Sequence, residues 1–162
     1  MTWMRLNERL LAFLAKGLSI HVGACDAHGQ PELARALAVR PEPDGRLALL
    51  LPSVPGAPLL AAVRATGRLS VVLCQPTTHT AVQLRGRDAV LEAADLAQWP
   101  ELPRSHEAFL DEVRPFGFER DFTAAWFEAP EAQMAVLRFV PTGAWDQTPG
   151  PGAGSPMELY AA

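Results

Sequence analysis

The sequence predicts a small antiparallel β-barrel that carries a few helices. Three observations lead there. Apolar and polar residues alternate in short runs, as in Leu18, Ile20, Val22 and Ala24 against Ser19, His21, Gly23 and Cys25. Turn signals such as Asp26-Ala27-His28-Gly29 and Pro43-Asp44-Gly45 separate the runs. The connections between the first strands are too short for crossover helices, so the strands form an antiparallel meander and not a doubly wound nucleotide fold. Many strands with short turns and few helices close into a barrel.

The elements follow in order. Leu6, Leu10, Phe13 and Leu14 recur at three- to four-residue spacing, which predicts an amphipathic helix over 5–16 with Gly17 as its stop signal. The first strand is Leu18–Cys25, the second about 31–40, and the third Arg46–Leu51. Pro58 opens a short helix, Leu59–Thr66, closed by Gly67. A fourth strand runs Leu69–Gln75 and a long fifth strand about Thr80–Glu92. Gly86 inside that strand marks a bulge, a bend or a close backbone approach.

Residues 94–131 form a less regular section with a helix over Ser105–Val113. Phe118, Phe122 and Trp126 are spaced by four there, as on one helix face. A last strand covers Met134–Val140. The chain divides into a barrel domain, 1–146, and a Pro/Gly-rich tail, 147–162.

A chain of 162 residues, 49% hydrophobic and 20% charged, is long enough to bury one core without disulfides. The net charge of −4 gives no basic field for nucleic acid or anionic lipid. The apolar runs are far shorter than a membrane span. Val22-Gly23-Ala24-Cys25 has the look of a lipoprotein cleavage box, but Glu8, Arg9, Lys16 and His21 interrupt the apolar stretch before it. The expectation is a cytoplasmic protein with Cys25 unlipidated and both Cys25 and Cys74 as reduced, buried thiols. Lys16 is the only lysine, so an anion site must use arginine, backbone N–H groups or hydroxyls.

Several phrases, in order, carry a family resemblance. They are Asp26-Ala27-His28-Gly29-Gln30-Pro31, Leu33-Ala34-Arg35-Ala36-Leu37, Gly45–Pro52, Leu59–Val71 and Val82-Gln83-Leu84-Arg85-Gly86. Together, over about residues 5–92, the chain resembles the flavin-binding split-barrel proteins of the pyridoxamine 5′-phosphate oxidase-like family. The resemblance implies a six-stranded antiparallel split β-barrel, a homodimer with flavin mononucleotide (FMN) between the subunits, and an oxidoreductase acting on a small molecule. It also implies that Arg35 meets the flavin phosphate. Two departures stand out. The stretch Ser53-Val54-Pro55-Gly56-Ala57-Pro58 has no basic residue where the family places a phosphate-binding one. The family's C-terminal substrate arginine and tryptophan are not recognisable, so the chain is not read as the vitamin B6 oxidase itself. A flavin- or haem-binding module without turnover, or a cofactor-free dimeric barrel, stays open beside the enzyme.

The candidate cofactor residues are Arg35, Ser53, Thr77, Thr78, Gln83 and Arg85. Arg35 stands among small apolar residues, so it either pairs with a carboxylate or reaches an anion bidentately. Arg40, beside Pro41, reads as a solvated surface residue. Ser53 supplies a hydroxyl in the phosphate stretch. Thr77 and Thr78 offer hydroxyls and N–H groups, or simply turn chemistry. Gln83 and Arg85 point to one side of their strand, toward a flavin ring edge or toward solvent. The aromatic set Phe116, Phe118, Phe122, Trp126 and Phe127 either roofs a ring or forms core. His28 and His106 are expected at the surface. His21 and Cys25 share a strand face but lack further metal ligands, and no metal is expected. No catalytic triad or paired carboxylates are recognisable, as expected if a cofactor carries the chemistry. The near-continuous leucine and alanine of Arg46–Leu51 predicts a strand buried on both faces, which needs cover beyond its own core.

Overall fold

The computed structural model describes residues 6–160. The chain runs α1 (Glu8–Leu14), β1 (Ser19–Cys25), β2 (Pro31–Ala36), β3 (Ala38–Pro41), β4 (Leu47–Pro52), α2 (Ala57–Thr66), β5 (Leu69–Cys74) and β6 (Ala81–Ala93). It continues with α3 (Leu102–Val113), α4 (Arg120–Ala124), β7 (Met134–Asp146) and β8 (Pro156–Met157), with short 3-10 turns between. All strand pairs are antiparallel, in the order β2-β1-β5-β6-β7-β4-β3. The two ends of that order, β2 and β3, are one stretch of chain bent at Leu37, whose N–H donates to the Leu50 carbonyl at 2.7 Å. The predicted second strand is therefore a stave that leaves β1 and joins β4. Counted as one, it makes the sheet a curled barrel of six staves, as expected.

Alternation explains the interior. Ile20 and Val22 of β1, Val71 and Leu73 of β5, and Val82 and Leu84 of β6 point into one core with Leu47, Leu49 and Leu51 of β4 and Phe139 of β7. α1 adds Leu10 and Phe13, and α2 adds Leu59 and Val63. Asn7 caps α1 by accepting the Leu10 N–H at 2.8 Å. Gly67 closes α2 in the left-handed conformation, φ 66°. Gly86 is a close approach and a bulge together. A Cβ there would run into the Phe139 ring, and the β6–β7 register shifts beside it.

The outer face of β4 holds a second apolar cluster. Ala48 and Leu50 pack with Leu37, Ala38, Met134, Val136 and Trp99. Leu96, Leu102, Phe127 and Ala129 close over them. The cover that β4 requires thus comes from the chain's own 94–131 section, which corrects the premise that a second subunit must supply it. Arg40 fixes this section to β3. Its guanidinium lies 4.3 Å over the Trp99 ring, pairs with Glu42 at 2.9 Å, and donates to the Gln98 carbonyl. It is half-buried structure, not the solvated residue expected. The contact has a second anchor at Gly17, where a Cβ would strike the Ala108 carbonyl of α3.

β7 runs on past Val140 to Asp146, because β8 folds back to pair Ala144 with Met157 and Trp145 with Pro156. The Pro/Gly-rich stretch is the irregular turn of that hairpin. Beyond it Leu159 enters the main core and the Tyr160 hydroxyl donates to the Pro141 carbonyl at 2.7 Å. No helix among the described residues is long and apolar enough to cross a membrane.

Candidate functional site

With the inward residues of β1, β5 and β6 assigned to the core, their neighbours must face out. The registers place them in rows. His21 stands opposite Arg35 of β2 on one side and Val72 of β5 on the other; Val72 is opposite Gln83, and Gln83 opposite Trp145. One step along, Leu33, Gly23, Ser70, Arg85 and Gly143 form the second row. Three sheet spacings separate Arg35 from Gln83, roughly 14 Å. Among the described residues no element covers the middle of this face: Leu33 is 69% exposed and Val72 37%.

Arg35 anchors one end. Its guanidinium lies over three rings, 4.8 Å from the Phe109 and Trp126 centroids and 5.7 Å from Phe127. Phe109 comes from α3; Trp126 and Phe127 come from the 3-10 turn Ala125–Phe127 after α4. Its Nε is buried without a hydrogen-bond partner, and no carboxylate lies within ion-pair distance, both among the described residues. Of the two alternatives for Arg35, the ion pair is absent among the described residues. Burial lowers its pKa, as it must for a cation held against hydrocarbon. The ring faces offset part of that cost. Next to it, burial and then the charge of Arg35 hold the His21 imidazole below its ordinary 6.5.

Gln83 anchors the other end and is fixed at both amide atoms. Its Nε2 donates to Ser70 Oγ at 2.9 Å, and its Oε1 accepts from Gln147 Nε2 at 2.8 Å. One amide hydrogen and one lone pair remain for a ligand. Arg85, one row away, stacks 4.6 Å over Trp145.

Three expected residues stand apart from this face. Ser53 lies at the β4–α2 junction, where its N–H donates to the Gln133 carbonyl at 2.7 Å. Thr77 is already engaged by α3: its N–H donates to Glu112 at 3.0 Å and its hydroxyl bonds the same carboxylate. Burial pushes the Glu112 carboxyl up, but these bonds and that from Gln75 outweigh it and hold the group below its ordinary value. Thr78 bonds Thr80 within its own turn at 2.9 Å. Both threonine hydroxyls are therefore engaged within the chain in this arrangement.

Two further expectations change. Cys25 is exposed at the end of β1, not buried, although both cysteines are free. His106 is half-buried: it stacks 4.0 Å from Phe127 and its Nε2 lacks a partner among the described residues. Phe118 and Phe122 do gather on Trp126, edge-on at 5.8 and 5.6 Å, although only Arg120–Ala124 is helical. The cage around Arg35 had no sequence signal, because its rings come from some seventy to ninety residues downstream. His21 was within reach: strand alternation puts it on the outward side, and only the register was missing.

No protein-family model and no curated protein matches the chain. Solved structures do. HupZ of Group A Streptococcus superposes with a TM-score of 0.56 at 11% identity, covering 92% of this chain and 100% of that one. A candidate pyridoxamine 5′-phosphate oxidase from Lactobacillus delbrueckii gives 0.52 at 13% identity, covering 87% and 93%. HutZ, described as the heme storage protein of Vibrio cholerae, gives 0.50 at 14% identity, covering 88% and 95%. At these identities the likeness is one of fold. The chain has the split β-barrel fold of the pyridoxamine 5′-phosphate oxidase-like proteins.

Proposed function

We propose that the open outer face of β2-β1-β5-β6 binds FMN and that the protein is an FMN-dependent oxidoreductase acting on a small molecule. The observation that carries this reading is Arg35: a cation held in an aromatic cage, without a carboxylate among the described residues, at one end of a flat sheet face. A guanidinium so placed is already desolvated, so a phosphate gains a charge-assisted hydrogen bond with little further reorganisation. Trp126 and Phe127 hold its orientation. Gln83, at the far end of the row, presents an amide to the ring edge, and Val72 between them gives an apolar floor. The absence of a basic residue over 53–58 leaves Arg35 as the main phosphate contact. The flavin, when bound, would accept and return the hydride; the chain's part is to bind, orient and shield it.

Val72, an exposed apolar residue on this face, supports a homodimer through it, with each FMN enclosed between copies. Purified protein with flavin absorbance, and oxidation of a nicotinamide donor by the loaded protein, test the reading. A second reading is a haem carrier. It draws on the likeness to HutZ and on His21, an imidazole kept neutral beside a cation that suits a carboxylate. A Soret band lost in His21→Ala would favour it; an FMN spectrum with no haem uptake would remove it.

A further inference from the structure

One row from Arg35, the open face carries a shallow groove of about 820 Å³. Gly23 and Leu33 make its apolar floor, and Ser70, Arg68 and Arg85 stand at one side. Ser70 is opposite Arg85, so Arg68, two residues before Ser70, is the diagonal cross-strand neighbour of Arg85. Such neighbours are about 7–8 Å apart. Neither arginine lies within ion-pair distance of a carboxylate among the described residues. Arg87 brings a third guanidinium to the corner, with only the exposed Asp88 beside it at 3.6 Å. Neither carboxylate that shares the groove, Asp26 or Glu32, pairs with these arginines. Asp26 is committed to its turn, accepting the His28 and Gln30 N–H groups at 2.8 and 2.9 Å, and Glu32 sits on the opposite side of the hairpin strand from Leu33. Like charges side by side on an exposed face repel one another, and an anion placed between them relieves that repulsion.

We infer that this groove binds an apolar small molecule bearing one anionic group, with the anion on Arg68 and Arg85 and the apolar body on Gly23 and Leu33. Arginine suits this because its fork takes a carboxylate, sulfonate or phosphate bidentately. Gly23 keeps the floor low: a Cβ there would meet nothing nearer than the Glu32 carbonyl at 3.8 Å, so a larger side chain enters the groove without disturbing the strand. That the groove is the substrate site rests on the flavin reading; that it binds the anion does not.

Fluorescence titration of the full chain with anilinonaphthalene sulfonate tests the inference, with uncharged phenylnaphthylamine as its comparison. Binding of one sulfonate probe per chain is expected, tighter than that of the neutral probe and weakened by salt. The double variant Arg68→Gln/Arg85→Gln should lose at least about tenfold in affinity. Gly23→Phe should block the probe while keeping the wild-type circular dichroism and unfolding midpoint. The inference is overturned if the double variant binds as tightly as wild type, if the neutral probe binds equally well, or if the wild type binds none because a second copy covers the groove. Titration with FMN separates the two sites. Arg35→Gln should lose FMN and keep the probe. Probe binding by a wild type that ignores FMN would remove the flavin reading and leave the groove.

Discussion

The barrel has two outer faces that the same chain treats in opposite ways. Over β3, β4 and β7 the outward residues are Ala38, Ala48, Leu50 and Val136, and the 94–131 section seals them with Trp99, Leu96 and Leu102. Over β2, β1, β5 and β6 the outward residues are Arg35, His21, Val72, Gln83 and Arg85, and the middle of the face is open. The covering section reaches across only far enough to set Phe109, Trp126 and Phe127 on Arg35. One face therefore serves stability. The other keeps charged and amide groups exposed or unpaired, which lowers stability unless a ligand uses them.

The largest expected effect breaks the covered face. Trp99 is 2% exposed, and Trp99→Ala should cost about 3–5 kcal/mol in urea unfolding, the usual range for deleting a buried large aromatic side chain. On the open face the balance reverses. Arg35→Ala should change folding stability little but weaken FMN by about 1.5–3 kcal/mol. Val72→Glu should convert the expected dimer to monomer in sedimentation, and it should lower unfolding stability by the association lost plus no more than about 0.5 kcal/mol for the exposed site itself. A dimer that survives Val72→Glu would move the interface elsewhere.

The contrast also shows what the sequence could reveal. The barrel was legible because alternation and turn residues are local, and Gln83 and Arg85 share a side by parity alone. β4 read correctly as buried on both faces, but what covers it did not. That depends on Trp99 and Leu102 returning from about fifty residues away, and nothing in Leu47–Leu51 names its partner. The Leu37 bend was missed because Ala36-Leu37-Ala38 has no breaker residue; barrel closure, not local preference, imposes it. Thr77 illustrates the converse. Its hydroxyl suits a phosphate chemically, and only the fold reveals that Glu112 holds it.

The smallest effect concerns protons. His21 and His106 both sit below the ordinary 6.5 in the folded chain, chiefly through burial. The unfolded chain then binds more protons near and below that pH, so stability is full above 6.5 and declines as pH falls through it toward the folded values. Thermal unfolding between pH 8 and pH 5 should follow that direction, each pH taken as about one step in the titration range of histidine. His21→Gln should reduce the decline. Arg35→Gln removes the charge that adds to burial in depressing His21, so it should raise the His21 midpoint in NMR titration.

Titration of the apo-protein with FMN, wild type against Arg35→Ala, tests the division of the two faces most directly. Wild type should bind one FMN per chain, and Arg35→Ala should bind about ten- to a hundredfold more weakly with an unchanged unfolding midpoint. Equal affinity in the two proteins, or loss of FMN only because Arg35→Ala unfolds, would contradict it.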